Sequence, residues 1–197
     1  MAASYEYLFL TLARGPAPHQ ALADQLGDAP GLEVVGQFAP QLGWSGNEAA
    51  VLVRGADGAR LDTTALDASN VVVGAQRERL TPTIRPSDTD RPAPGGIYVH
   101  RWFEVDADMV DEFVALSGQG WERFEALFDA RIFGLFQADR SDADRVAGVA
   151  RLLLLTRYGD HGVWEESRDP TTEAMQIFAR RQQLTRRSWA ASSRLVG

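Results

Sequence analysis

The clearest pattern in the chain runs from residue 95 to residue 158, where strand, helix, strand and strand periods follow in turn. Residues 97–105 alternate, with Ile97, Val99, Phe103 and Val105 on one face and Tyr98, His100, Trp102 and Glu104 on the other, which predicts a strand. Val110, Phe113, Val114, Trp121 and Phe124 then recur at helical spacing and make one apolar stripe to lie on a sheet. Asp106 and Asp108 suit the start of that helix, where carboxylates meet free amides and the positive end of the dipole, while Gly118 weakens it slightly. Residues 131–138 and 152–158 read as strands joined by a polar loop over 139–148, and 171 to about 191 as helical by composition.

The first part of the chain repeats this order more loosely. A strand over 5–12 is followed by a short helix over 19–26, an apolar run over 32–38, a turn-rich stretch over 43–47 and a strand over 49–54. Residues 61–68 suit only a short helix, and 71–73 a fourth strand or the end of that helix. Residues 81–96 carry four prolines and two terminal glycines, a composition that no regular helix or central strand tolerates. The division expected is therefore a degenerate N-terminal unit over 1–80, a linker over 81–96 and a C-terminal unit over 97–197. The fold class is α+β, with tandem ferredoxin-like units. Each unit has one bare sheet face, and two of them cover each other by closing an antiparallel barrel of roughly eight strands. Closure occurs within one chain or with a second copy; a homodimer is expected.

Composition narrows the function without naming it. At 197 residues and 45% hydrophobic content the chain has ample material for a core. A net charge of −7 argues against a nucleic-acid partner, which needs a basic stripe to neutralise phosphates. Cys is absent, so disulfides, thiolate metal sites and cysteine catalysis are excluded, and a cytoplasmic location is compatible. The apolar start lacks the form of a signal peptide, and no segment approaches the roughly 20 apolar residues of a membrane helix.

Residues 96–105, GIYVHRWFEV, resemble the opening strand of NIPSNAP-type proteins, with Tyr98, Arg101 three residues on and Phe103 two beyond. The likeness continues through Asp111-Glu112-Phe113, through 131–136 (RIFGLF), and through Leu155-Thr156-Arg157-Tyr158 and Trp164-Glu165-Glu166-Ser167-Arg168, covering roughly 96–194. His100 stands where that family usually has an apolar residue. The resemblance implies a dimeric alpha-beta barrel. Relatives in that wider group include cofactor-free monooxygenases, haem-degrading oxygenases, chlorite dismutases and plain ligand binders, so membership does not choose between enzyme and binder.

Strand parity supplies the candidate site. If Val105 packs on the helices, Tyr98, His100 and Trp102 face the barrel interior, and His100, flanked by an aromatic and a carboxylate, is the candidate catalytic base. The same alternation puts Arg131, Phe133, Leu135 and Gln137 on one face, with Arg157 ending the next strand. Two arginines and a glutamine aimed inwards suit an anionic or carbonyl-bearing ligand. Tyr98, Trp102, Phe133, Gln137, Arg131 and Arg157 are the candidate ligand-binding residues. The plainer alternatives are a hydrogen-bonded core histidine and arginines pointing to water. Arg101, of the opposite parity, is expected behind the helices with a carboxylate partner. Trp44, Trp121, Trp164 and Trp189 are better explained by packing than as a cofactor box, and His19 and His161 have no partner at metal spacing. No metal or cofactor is called for. The expected function is small-molecule binding, with a cofactor-independent monooxygenase or isomerase using His100, or a structural interaction protein, as alternatives. A filled, dry barrel would favour the last.

Overall fold

Alternating sequence becomes one closed wall of strands. The computed structural model describes residues 4–26, 32–55 and 70–196. The elements are β1 (Ser4–Leu12), α1 (Pro18–Leu26), β2 (Glu33–Leu42), β3 (Glu48–Gly55) and β4 (Val72–Pro82), then β5 (Ile97–Asp106), a 3-10 turn (Ala107–Met109) and α2 (Val110–Leu127). They continue with β6 (Ala130–Ala138), α3 (Asp142–Ala147), β7 (Val149–Tyr158), α4 (His161–Glu166), α5 (Glu173–Gln183) and β8 (Thr185–Val196). The strands close as β1-β3-β2-β8-β5-β7-β6-β4, every neighbouring pair antiparallel. Within this ring β4-β1-β3-β2 and β8-β5-β7-β6 have the same internal order, fourth, first, third, second, which is the ferredoxin-like arrangement. The chain is thus an α+β barrel of two ferredoxin-like units, and its closure is internal.

Three apolar layers follow from strand parity. Inside the barrel lie Tyr5, Tyr7, Phe38, Leu52, Tyr98, Phe136, Leu153 and Leu155. Outside, α1 covers Leu8, Leu10, Val51 and Val53 with Leu22 and Leu26. On the other side α2 and α5 cover Val99, Phe103, Val105, Leu152 and Leu154 with Phe113, Trp121, Phe124 and Phe178. Burying each such side chain contributes about 1.5–3 kcal/mol. Gly120 lets α5 approach α2, since a Cβ there would meet Phe178 Cε1 at 2.5 Å.

Several expectations need correction. The loop expected over 139–148 contains α3, nucleated by a capping box in which Ser141 and Asp144 satisfy each other's amides. The helix expected to about 191 ends at Gln183; the rest is β8, whose alternating polar residues pair between β5 and β2. Here cross-strand partners override a composition that suits a helix. Residues 71–73 lead into the long strand β4, which reaches into the proline-rich stretch and pairs Thr81 and Pro82 with Gln137 and Phe136. Asp106 does not cap with its side chain and instead pairs with Arg186. The helix expected over 61–68 lies outside the described residues.

The consequential correction is in β6. Its register against β7 shifts between Ile132 and Gly134, a bulge that breaks strict alternation. Phe133 therefore lies inside the barrel, whereas Leu135 packs on the helix side and Gln137, opposite Leu152, shares its parity. Gly134 is needed because a Cβ would meet Pro86 Cδ at 2.6 Å.

Candidate functional site

β5 sends Tyr98, His100 and Trp102 towards the barrel interior, as its alternation predicts. His100 is 1% exposed and engaged at both ring nitrogens: Nδ1 lies 3.0 Å from Tyr7 Oη on β1, and Nε2 2.8 Å from Ser193 Oγ on β8. Ser193 Oγ donates to the Tyr98 carbonyl at 3.4 Å, which leaves its lone pair to accept from Nε2–H. Nδ1 then carries the ring's lone pair and accepts from the Tyr7 hydroxyl. Burial pushes the His100 pKa down to about 3 and raises that of Tyr7, so a neutral imidazole faces a neutral phenol. Every polar atom in this chain of groups has a partner.

Next to this pair the barrel contains a cavity of about 410 Å³. Its walls are aromatic: Phe9, Trp44, Trp102 and Trp189 join Tyr7 and His100. Trp44 and Phe38 meet the His100 ring edge-on at 4.8 Å, and Trp102 stacks on Trp189 at 6.3 Å. The polar rim holds Gln76, Glu78 and Arg151. Arg151 donates to both oxygens of Glu78, at 2.5 and 2.9 Å, and to Asp144 at 3.3 Å; the Glu78 bond is the main cause that raises its pKa. That guanidinium is already neutralised.

The predicted residues divide. His100 and Trp102 line the cavity. Tyr98 and Phe133 are buried in the same interior cluster, away from the cavity; Tyr98 donates to the Ala93 carbonyl at 2.6 Å. Gln137 points the other way because of the bulge, Arg131 is exposed, and Arg157 pairs with Asp129 at 2.5 Å. Arg101 lies behind the helices, but among the described residues it has no carboxylate partner. Tyr7, Trp44, Glu78, Arg151 and Ser193 were not anticipated. A legible signal existed for Tyr7, since Tyr5, Tyr7 and Phe9 put aromatics on one face of β1. Among the described residues no His, Asp and Glu cluster could hold a metal ion; His161 bonds Ser192 Oγ at 2.9 Å and His19 the Gly46 carbonyl at 3.4 Å.

No described helix is long and apolar enough to cross a membrane. No protein-family model matches the sequence, and no curated protein is significantly similar to it. The structure, however, is similar to that of an anthrone oxidase-like protein, at 13% identity and a TM-score of 0.62, over 98% of this chain and 92% of the other. A mutant chlorite dismutase from Candidatus Nitrospira defluvii superposes at 6% identity and a TM-score of 0.56, over 99% and 92%. A ferredoxin fold protein from Listeria monocytogenes, related to antibiotic biosynthesis monooxygenases, does so at 7% identity and 0.51, over 98% and 96%. At such identities the likeness is one of fold, and that fold is the dimeric alpha-beta barrel type.

Proposed function

We propose that the barrel binds a planar, uncharged aromatic small molecule beside Tyr7 and His100. One observation carries this: a cavity of about 410 Å³ walled by tryptophans remains inside a barrel whose other interior positions are filled. An uncharged ligand fits because Arg151, the only cation at the rim among the described residues, is bonded to Glu78 and Asp144. His100 holds the Tyr7 hydroxyl in place, leaving the phenol oxygen to accept a bond from the ligand. The catalytic alternative asks His100 to take a proton, yet a pKa of about 3 makes it a weak base at neutral pH. Binding is therefore the better reading. The finer NIPSNAP-type assignment rests on the Tyr98, Arg101 and Phe103 pattern, and a cytoplasmic location is part of the same proposal. A homodimer is proposed through the outer surface, since closure within one chain already covers the inner sheet faces.

Anthrone, a neutral tricyclic ketone, is a suitable probe because a fold neighbour is anthrone oxidase-like. Calorimetric titration should show saturable binding that His100→Leu or Trp102→Ala weakens by about tenfold or more. Unchanged affinity in both variants overturns the site. An oxygen electrode separates the enzyme reading, in which the ring methylene and O₂ give a ketone and water; uptake above the uncatalysed rate that is lost in His100→Leu would establish it.

A further inference from the structure

A second cavity, of about 330 Å³, lies on the opposite face of β5, between the sheet and α2, α4 and α5. Its polar lining is one-sided. Arg101, Arg168 and Arg181 all border it, and no Asp or Glu does among the described residues. Arg181 is 7% exposed; its one side-chain hydrogen bond goes to Ser117 Oγ at 3.4 Å, and its Nε has no partner. The indole Nε1 atoms of Trp121 and Trp164, also in the lining, are buried without partners. Burial lowers the pKa values of Arg101 and Arg181, that of Arg181 to about 9; the charge of Arg101 then opposes that of Arg181, and the charge of Arg168 opposes that of Arg101. Arg181 is still a cation at neutral pH. Tyr158, whose pKa burial raises, remains a neutral phenol and supplies no countercharge.

Buried donors without acceptors, and buried cations without anions, are costly and rarely left so. The plainer account is that Arg181 is held by the faces of Phe178, Phe103 and Phe113, 4.5–5.4 Å from its guanidinium carbon. That accounts for the guanidinium face of Arg181 and leaves its Nε, both indoles and the half-buried Arg101, with the exposed Arg168 at the rim. The rest of the lining is apolar, with Phe124, Ile132, Leu154 and Met175 around the polar end. We infer that this cavity is a binding site for an amphiphilic organic carboxylate, its headgroup between Arg101, Arg168 and Arg181 and its apolar body against Phe124, Leu154 and Met175. This site is separate from the barrel cavity, and neither reading depends on the other.

The test is calorimetric titration of the full chain with decanoate, with decanol as the uncharged equivalent and inorganic phosphate as the anion without a body. Decanoate should bind saturably, about tenfold or more tighter than either control, and quench fluorescence from Trp121 and Trp164. Arg101→Met should lower decanoate affinity by about tenfold or more while leaving the melting temperature of the ligand-free protein unchanged or higher, because a half-buried charge without a carboxylate partner is removed. Arg168→Gln, exposed at the rim, serves as the second variant should Arg101→Met not fold. Equal binding of decanol, equal binding of phosphate, or undiminished decanoate affinity in the variants overturns the proposal.

Discussion

The two cavities on either side of β5 are built from adjacent residues and are electrostatic opposites. In the barrel, His100 is neutral, bonded at both nitrogens and ringed by aromatic faces; one residue on, Arg101 is a cation with no described carboxylate beside it. The inner cavity has satisfied its buried imidazole and its guanidinium within the protein, and the outer one has left buried donors waiting. An interior that is polar but saturated selects ligands by shape and by a single hydrogen bond, whereas an unsaturated one selects them by charge. Period-two alternation is what permits such different environments about one strand's thickness apart.

The contrast is broken most severely by moving a charge to the wrong side. His100→Glu should lose about 3–5 kcal/mol in urea unfolding, because its described neighbours Tyr7, Phe38 and Trp44 carry no positive charge and the cation in the cavity lining, Arg151, is already bonded to Glu78 and Asp144. A loss below about 1 kcal/mol would mean that the barrel is wet enough to solvate ions.

The next effect is on pH dependence. His100 ordinarily titrates near 6.5 and in the fold near 3, so the unfolded chain binds the extra proton between those values. The contribution is intact above pH 6.5 and is lost as pH falls towards 3, at up to about 1.4 kcal/mol per pH unit. Melting curves of the parent and His100→Leu should therefore converge on acidification. Parallel curves would show that His100 protonates freely in the folded state.

Smaller still is Tyr7→Phe, which strips Nδ1 of its donor and should cost about 1–3 kcal/mol by denaturant titration. A neutral result would place another donor, such as water, at that nitrogen. The smallest is Glu78→Gln. Its pairing with Arg151 links β4 to β7 but is partly exposed, so about 1 kcal/mol of stability should go, less at high salt. Its sharper effect is to leave Arg151 with Asp144 as its one remaining carboxylate among the described residues, after which the barrel should accept anionic ligands more readily and the two cavities become more alike.

How far this contrast was legible in the sequence depended on locality. The faces of β5 follow from alternation alone, which put His100 inside and Arg101 outside. The helix stripe of α2 was equally plain, because Phe113, Trp121 and Phe124 need only helical spacing to share a face. What failed was whatever another element decides. Gln137 lost its place to a bulge that Pro86 packs against, and Ser193 was hidden because a composition suited to a helix over 184–191 gave way to pairing with β5. Tyr7 and Ser193 each stand 93 residues from His100, and nothing local marks that meeting. The expected salt bridge of Arg101 failed for another reason. The rule that buried charges are paired holds for the complete binding unit, which includes ligands that a sequence does not contain.

The barrel ring has a consequence for how anything enters it. Most of its seams are long ladders, and β4 meets β6 through Leu80, Thr81 and Pro82, against Ala138, Gln137 and Phe136. Pro82 has no amide to give, so the regular ladder stops there, but the seam continues: Asp139 N–H donates to the Arg79 carbonyl, Thr83 N–H to the Leu135 carbonyl and Leu135 N–H to the Arg85 carbonyl. The residues after β4 are thus hemmed to the wall they cross, and the Glu78–Arg151 pair ties the same strand to β7 beyond it. A ligand reaches Gln76 and Glu78 from the end of the cylinder, past a rim that is sewn on both sides.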